Sequence, residues 1–88
     1  MTFRDANEAI ALAKGTDRGL ASYACTRNLA KGLQIAEAIE SGVVGLNRGF
    51  ISDPAAPFGG VKQSGLGREG AHEGLMEVLE TKCIGTNW

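Results

Sequence analysis

Three groups of residues have types and spacings that chemistry could use. The run Gly65-Leu66-Gly67-Arg68-Glu69-Gly70 satisfies G-x-G-x-x-G, a spacing in which glycines let a helix N-terminus approach a pyrophosphate. Its context argues against that use. A dinucleotide fingerprint directly follows a buried strand, whereas this run follows Gly60-Val61-Lys62-Gln63-Ser64, and no later parallel strand is available to carry a ribose-binding acid. A tight loop into a helix start is the better reading. Cys25, Cys83 and His72 invite a metal site or a Cys-His nucleophile. Three ligands without a close C-x-x-C pair are a weak metal signal, and a nucleophilic thiolate needs a positive, half-open setting. Cys25 sits within an apolar segment, so a small core hydrophobe is the preferred role, and no metal site is expected. His72 beside Leu75 and Met76 reads as an ordinary surface or packed histidine. Arg48, Ser52 and Lys62 offer a cation, a hydroxyl and a cation around Phe58 and four glycine or proline bends. Such a group could bind a small anion such as a carboxylate, and a polar surface loop explains the same residues equally well.

Composition bounds what these residues could serve. Nine Lys and Arg against ten acids, scattered along 88 residues, leave no basic stripe for phosphates, so no nucleic-acid partner is expected. No apolar stretch approaches the ~20 residues that cross a bilayer, and Met1-Thr2-Phe3-Arg4-Asp5 does not open a signal peptide. The expectation is a cytoplasmic protein without a membrane partner, in which a Cys25–Cys83 disulfide is disfavoured though open on sequence. Thirteen glycines are roughly twice the usual ~7%, while 43% hydrophobic content argues against disorder. Glycine therefore marks turns or close backbone approaches. Few aromatic residues are placed to anchor a core, which must rest on Ala, Leu, Ile and Val.

The positioning elements follow from caps and periodicity. Asp5 caps a first helix with Glu8 completing a capping box; Ala6, Ala9, Ile10 and Ala13 form its apolar stripe, and Gly15 ends it. Leu20 to Thr26 reads as a strand. Arg27-Asn28 caps a second helix, whose stripe is Leu29, Leu33, Ala36 and Ile39 with Gly32 and Ile35 beside it, and Ser41-Gly42 stops it. Val43 to Asn47 is apolar without alternation, as in a strand buried on both faces. Strand, helix and strand make a βαβ unit with parallel strands, and the fold class is α/β. Two strands and two helices cannot cover both sheet faces and edges, so the sheet should continue elsewhere. From Arg48 to Gly67 a long glycine- and proline-rich loop is expected, of the length that usually carries function. A third helix is expected over Arg68–Leu79 and a strand over Thr81–Thr86. Lys31, Gln34, Glu37 and Glu40 read as a solvated helix face, as do Glu73, Glu77 and Glu80, with Glu80 placed for an interface salt bridge.

The run Ala56-Pro57-Phe58-Gly59-Gly60-Val61-Lys62-Gln63-Ser64-Gly65-Leu66-Gly67-Arg68-Glu69-Gly70 resembles the C-terminal signature of the aldehyde dehydrogenase superfamily. Asp5 to Ala9, Gly19-Leu20-Ala21, Ala38 to Gly42 and Val44-Gly45-Leu46-Asn47 fit the same family in order. Asn47 to Ser52 with Ala55 to Phe58 is most similar to the succinate-semialdehyde dehydrogenases. The resemblance implies a partial catalytic domain over residues 1–80 and a terminal oligomerisation strand over 81–88. It also implies a parent enzyme that oxidises succinate semialdehyde, or a similar small aldehyde, with NAD or NADP. The family's nucleophilic cysteine, general-base glutamate, oxyanion-hole asparagine and dinucleotide domain precede the matching segment. No catalytic residue is therefore expected here, nor a cofactor on this chain alone. On the family pattern Cys25 lies on a core strand and Cys83 on the terminal one.

By the same resemblance, Phe58 lines the aldehyde channel and Ser52 holds the substrate carboxylate. Arg48 stands where the family commonly has threonine, which leaves its part in that binding open. Glu80, Lys82, Cys83 and Ile84 fall at the subunit interface of a homo-oligomer. The leading expectation is the C-terminal portion of a succinate-semialdehyde-type enzyme, as a fragment or a truncated gene product, inactive alone. The alternatives are an assembly module that self-associates or docks on a full-length subunit through edge strands, and a small nucleotide-binding protein built on the glycine loop.

Overall fold

A computed structural model describes residues 1–87; Trp88, the last residue of the expected terminal strand, lies outside the described residues. Helix α1 spans Ala6–Lys14, and the Asp5 carboxylate accepts from the Glu8 amide at 2.8 Å. Glu8 closes the box one residue early, accepting from the Arg4 N–H at 2.8 Å. The Gly15 N–H returns to the carbonyls of Ala11 and Leu12. Strand β1 (Arg18–Gly19) leads into β2 (Ala21–Ala24), and Asn28 caps α2 (Leu29–Ala38) by accepting from the Lys31 amide at 3.0 Å. Strand β3 is Val43–Leu46 and runs parallel to β2, with Ala21 opposite Val43 and Ala24 opposite Leu46. The expected βαβ unit is present and the chain is α/β.

The segment expected as one long loop is partly paired. Strands β4 (Phe58–Gly59) and β5 (Val61–Lys62) lie within it; β5 runs antiparallel to β1, and β4 antiparallel to β6 (Arg68–Glu69). The third helix is correspondingly shorter than expected. Because Arg68 and Glu69 pair as a strand, and Gly70 and Ala71 take φ of 71° and 52°, α3 covers only Ala71–Met76. The expected strand over residues 81–86 is not formed. Residues 79–87 are exposed without regular structure, since a strand needs a neighbour for its N–H and C=O groups.

The interior is built from backbone rather than side chains. Among the described residues the buried positions are Gly19, Gly32, Gly45, Ile51, Gly59 and Gly60, so Ile51, at 8% exposure, is the single large apolar side chain that is buried. Helix α2 turns Gly32, Ile35 and Ala36 inward and Ile39, just past its end, is half-buried, while Leu29 and Leu33 of the expected stripe stay exposed. The accessible surface is 7054 Å², against roughly 4,900 Å² for a compact 9.2 kDa monomer. The radius of gyration is 17.5 Å, where about 12 Å suits a compact chain of this length. The excess reflects an elongated chain, 67 Å along its longest axis, with residues 79–87 exposed and apolar side chains such as Leu29, Leu33 and Tyr23 left uncovered. Among the described residues no helix is long and apolar enough to cross a membrane, and no three metal-ligating side chains cluster.

One close approach ties the βαβ unit to the glycine-rich segment. A Cβ on Gly42 would run into the carbonyl of Gly59, so the two backbones cross where only glycine fits. Gly42→Ala is expected to lower unfolding free energy by about 1–3 kcal/mol, the usual cost of forcing atoms into a packed contact, measured as a lower urea midpoint at unchanged slope.

Candidate functional site

Ser52 and Phe58 come together as lining of one open cleft, with Phe50, Asp53, Ala56 and Glu69. Two separate devices bring them there. The Ser52 side begins at Asn47, which leaves β3 at φ 53°. Asparagine tolerates that left-handed turn, and its amide accepts from the Thr26 N–H and donates to the Thr26 carbonyl, each at 2.8 Å. The side chain thus extends the β2–β3 pairing by one rung. Four residues later Ile51 folds back over the sheet. A Cβ on Gly45 would lie 2.6 Å from Ile51 Cγ2 and 2.9 Å from Tyr23 Cδ1, so the absent side chain at Gly45 makes the seat for Ile51. Ser52 follows directly, and a turn closed by Asp53 Oδ1 on the Ala55 N–H (2.9 Å) docks on α3 through the Ala71 N–H and Pro54 carbonyl (3.2 Å).

The Phe58 side is held by β6. Arg68 Nη1 donates to the carbonyls of Gly60 (2.9 Å), Leu66 (2.9 Å) and Gly67 (3.0 Å), and the Arg68 N–H donates to Glu77 Oε1 at 3.2 Å. The Gly65–Gly70 run therefore turns carbonyl oxygens toward its own arginine, the opposite polarity to a pyrophosphate cradle. It leads into strand β6, not straight into a helix. The glycine loop thus does not fit a dinucleotide.

Several expectations are corrected. Lys62 does not join Ser52: its Nζ lies 2.6 Å from Glu40 Oε2 and donates to the Lys14 and Thr16 carbonyls at 3.2 and 3.1 Å. A carboxylate and the carbonyl end of α1 satisfy the ammonium better than an open cleft would. Arg48 is exposed and does not line the cleft, so the cation-hydroxyl-cation group is not assembled. The cleft instead carries the carboxylates of Asp53 and Glu69. Cys25 is not a core residue; it is exposed just past β2, beside Thr26, Arg27 and Asn47, and Cys83 is exposed as well. Glu80, Lys82, Cys83 and Ile84 all lie exposed in the segment after α3, and among the described residues Glu80 forms no ion pair.

A cluster that sequence reasoning missed joins Lys14, Glu40 and Lys62. Glu40 reads as helix surface, but α2 ends at Ala38, which frees the carboxylate to meet Lys62 and, at 3.2 Å, Lys14. Hydrogen bonds first from Lys62 and then from Lys14 hold Glu40 below the usual carboxylate range. Lys14 and Lys62 are 48 residues apart, so no local spacing signals the cluster.

The chain matches the aldehyde dehydrogenase family over residues 1–84. It is 54% identical over 84 residues to a succinate-semialdehyde dehydrogenase of Paenarthrobacter nicotinovorans, covering 96% of this chain and 19% of that protein. A glutarate-semialdehyde dehydrogenase of Pseudomonas aeruginosa is 51% identical over 85 residues, covering 94% and 18%. The crystal structure of an NADP-dependent enzyme of Escherichia coli superposes with a TM-score of 0.90 at 48% identity, covering 98% of this chain and 18% of that one. The resemblance read from residues 56–70 and the upstream segments is borne out, and the chain spans less than a fifth of the length of these relatives.

The Glu40 cluster has a signed pH consequence. A carboxylate whose folded pKa is depressed contributes stability that is fully present above its unfolded value, near 4.5, and lost as pH falls through the lower folded value. Glu40→Gln is therefore expected to narrow the difference between urea midpoints at pH 6 and pH 3; an unchanged difference would remove the cluster from the acid response.

Proposed function

The chain belongs to the aldehyde dehydrogenase family, and from that premise we propose that it is the C-terminal portion of a subunit that oxidises succinate semialdehyde to succinate with NAD or NADP. The observation that carries this reading is the convergence of Ser52 and Phe58 on one open cleft, in a chain half identical to semialdehyde dehydrogenases. In that cleft the Ser52 hydroxyl donates a hydrogen bond to the substrate carboxylate, and the Phe58 ring forms an apolar wall beside the methylene carbons. Asp53 and Glu69 add negative charge nearby, so the cations that balance the carboxylate belong to other parts of the intact subunit.

The nicotinamide dinucleotide supplies hydride acceptance when bound in the intact subunit. The nucleophilic thiol belongs elsewhere in that subunit as well, since neither Cys25 nor Cys83 lines the Ser52–Phe58 cleft. On this reading the 88-residue chain is inactive alone, works in the cytoplasm, and lends Glu80, Lys82, Cys83 and Ile84 to a subunit interface of a homo-oligomer. Glutarate semialdehyde is one methylene longer, and an apolar wall separates such homologues by only about 10- to 200-fold. The glutarate enzyme among the relatives therefore keeps the five-carbon substrate within the same class.

The purified chain with succinate semialdehyde and either dinucleotide is expected to produce no NAD(P)H, and production at an ordinary enzyme rate overturns the reading. In an intact subunit carrying this segment, Ser52→Ala should raise KM for succinate semialdehyde by about ten- to a hundredfold, as loss of a hydrogen bond to a charged group of roughly 1.5–3 kcal/mol implies. KM for an uncharged aldehyde of equal length should stay put.

A second reading, an assembly module, is favoured by the uncovered apolar surface around the open β2–β3 sheet. It expects concentration-dependent association of the chain in sedimentation, and a strictly monomeric chain at high concentration counts against it.

A further inference from the structure

Phe58 is positioned through the backbone crossing that follows it. Gly59 meets Gly42 at the crossing, where a Cβ on Gly42 would strike the Gly59 carbonyl. Glu40 stands two residues before Gly42, and Lys62 two residues after Gly60. Their side chains meet at 2.6 Å, so the two crossing segments are joined once by backbone contact and again, a short step away, by an ion pair. The Lys14 and Thr16 carbonyls complete three acceptors for three ammonium donors, and the Lys62 side chain is only 26% exposed. Lys62 also adopts φ 54°, a left-handed conformation that residues with a Cβ enter reluctantly. Such an outlier persists where its surroundings over-determine it, and here three side-chain bonds and the β1–β5 pairing do so.

We propose that Lys62, locked by Glu40, is a positioning residue for the Phe58 wall: it fixes where the glycine crossing sits and thereby where the ring stands in the cleft. Lys62 touches neither Ser52 nor the cleft, so it acts only through the chain path Lys62–Gly60–Gly59–Phe58. Lys14 steadies the Glu40 carboxylate from α1 and does not reach the β4–β6 pair. The relevance of Phe58 to an aldehyde rests on the function proposed above. The coupling itself is tested in the 88-residue chain without any reaction.

The test reads the Phe58 ring and amide resonances by NMR. Glu40 is faced by Lys14 from α1 and Lys62 from β5; Asp53 and Glu69 line the Phe58 cleft, and Glu77 bonds the Arg68 N–H. All of these except the substituted group remain in each variant, so the readout is the difference from wild type. Lys62→Met and Glu40→Gln are each expected to shift Phe58 in the same direction, the double variant no further, and Lys62→Arg to restore most of the wild-type position. Acidification from pH 6 to pH 3 should move wild-type Phe58 the same way, and that part of the titration should be lost in Glu40→Gln. Unchanged Phe58 resonances in Lys62→Met, additive shifts in the double variant, or an identical titration in Glu40→Gln overturn the proposal. So does loss of dispersed signals from β2 and β3 in every Lys62 variant, which would make Lys62 a general support of the fold. Coupling that holds while the Ser52→Ala experiment fails removes the pocket reading alone.

Discussion

The structure hangs on backbones that meet where a side chain would not fit. Gly42 against Gly59 joins the start of β3 to β4, the strand that carries Phe58, and Gly45 beneath Ile51 seats the segment that carries Ser52. Apart from Ile51, every buried residue among those described is a glycine. Contacts of this kind fix position closely, because backbone atoms have no rotamers with which to adjust. They bury little apolar area, so they determine geometry without supplying much of the hydrophobic stabilisation a larger core would give.

Charge is used in the same way. Arg68 gathers three carbonyls of the glycine loop, and Lys62 takes Glu40 with two carbonyls at the end of α1. Both cations are satisfied by the framework around the cleft, while the cleft itself is lined by Asp53, Glu69 and the Ser52 hydroxyl. On the function proposed for it, this segment shapes a pocket and offers a hydrogen bond, and the compensation of a substrate's charge falls to groups outside it. The division matches a chain that covers less than a fifth of its relatives' length.

The uncovered surface tells the same story from outside. Leu29 and Leu33 on α2 and Tyr23 on β2 are exposed beside a two-stranded parallel sheet with two open edges. Parallel sheets are normally covered on both faces. The residues after α3, apolar in part through Val78, Leu79 and Ile84, take no strand form for want of a neighbour to pair with.

What the sequence determined by itself was whatever is decided locally or by a long specific motif. The caps at Asp5 and Asn28, the βαβ unit, the α/β class and the family all follow from contiguous residues, because capping, periodicity and a fifteen-residue signature each act over short stretches. The glycine surplus was legible as close approaches, though not which backbones approach. Tertiary structure alone decided that Arg68 and Glu69 extend as strand rather than helix, that Cys25 is exposed, and that Lys62 belongs to Glu40 and not to Ser52. The physical reason is common to all three. Pairing, burial and the choice of an ion partner depend on groups beyond the local window, nine to eleven residues away for β6 on β4 and 22 for Lys62 on Glu40, and no local spacing records which of several competing acceptors a cation will reach first.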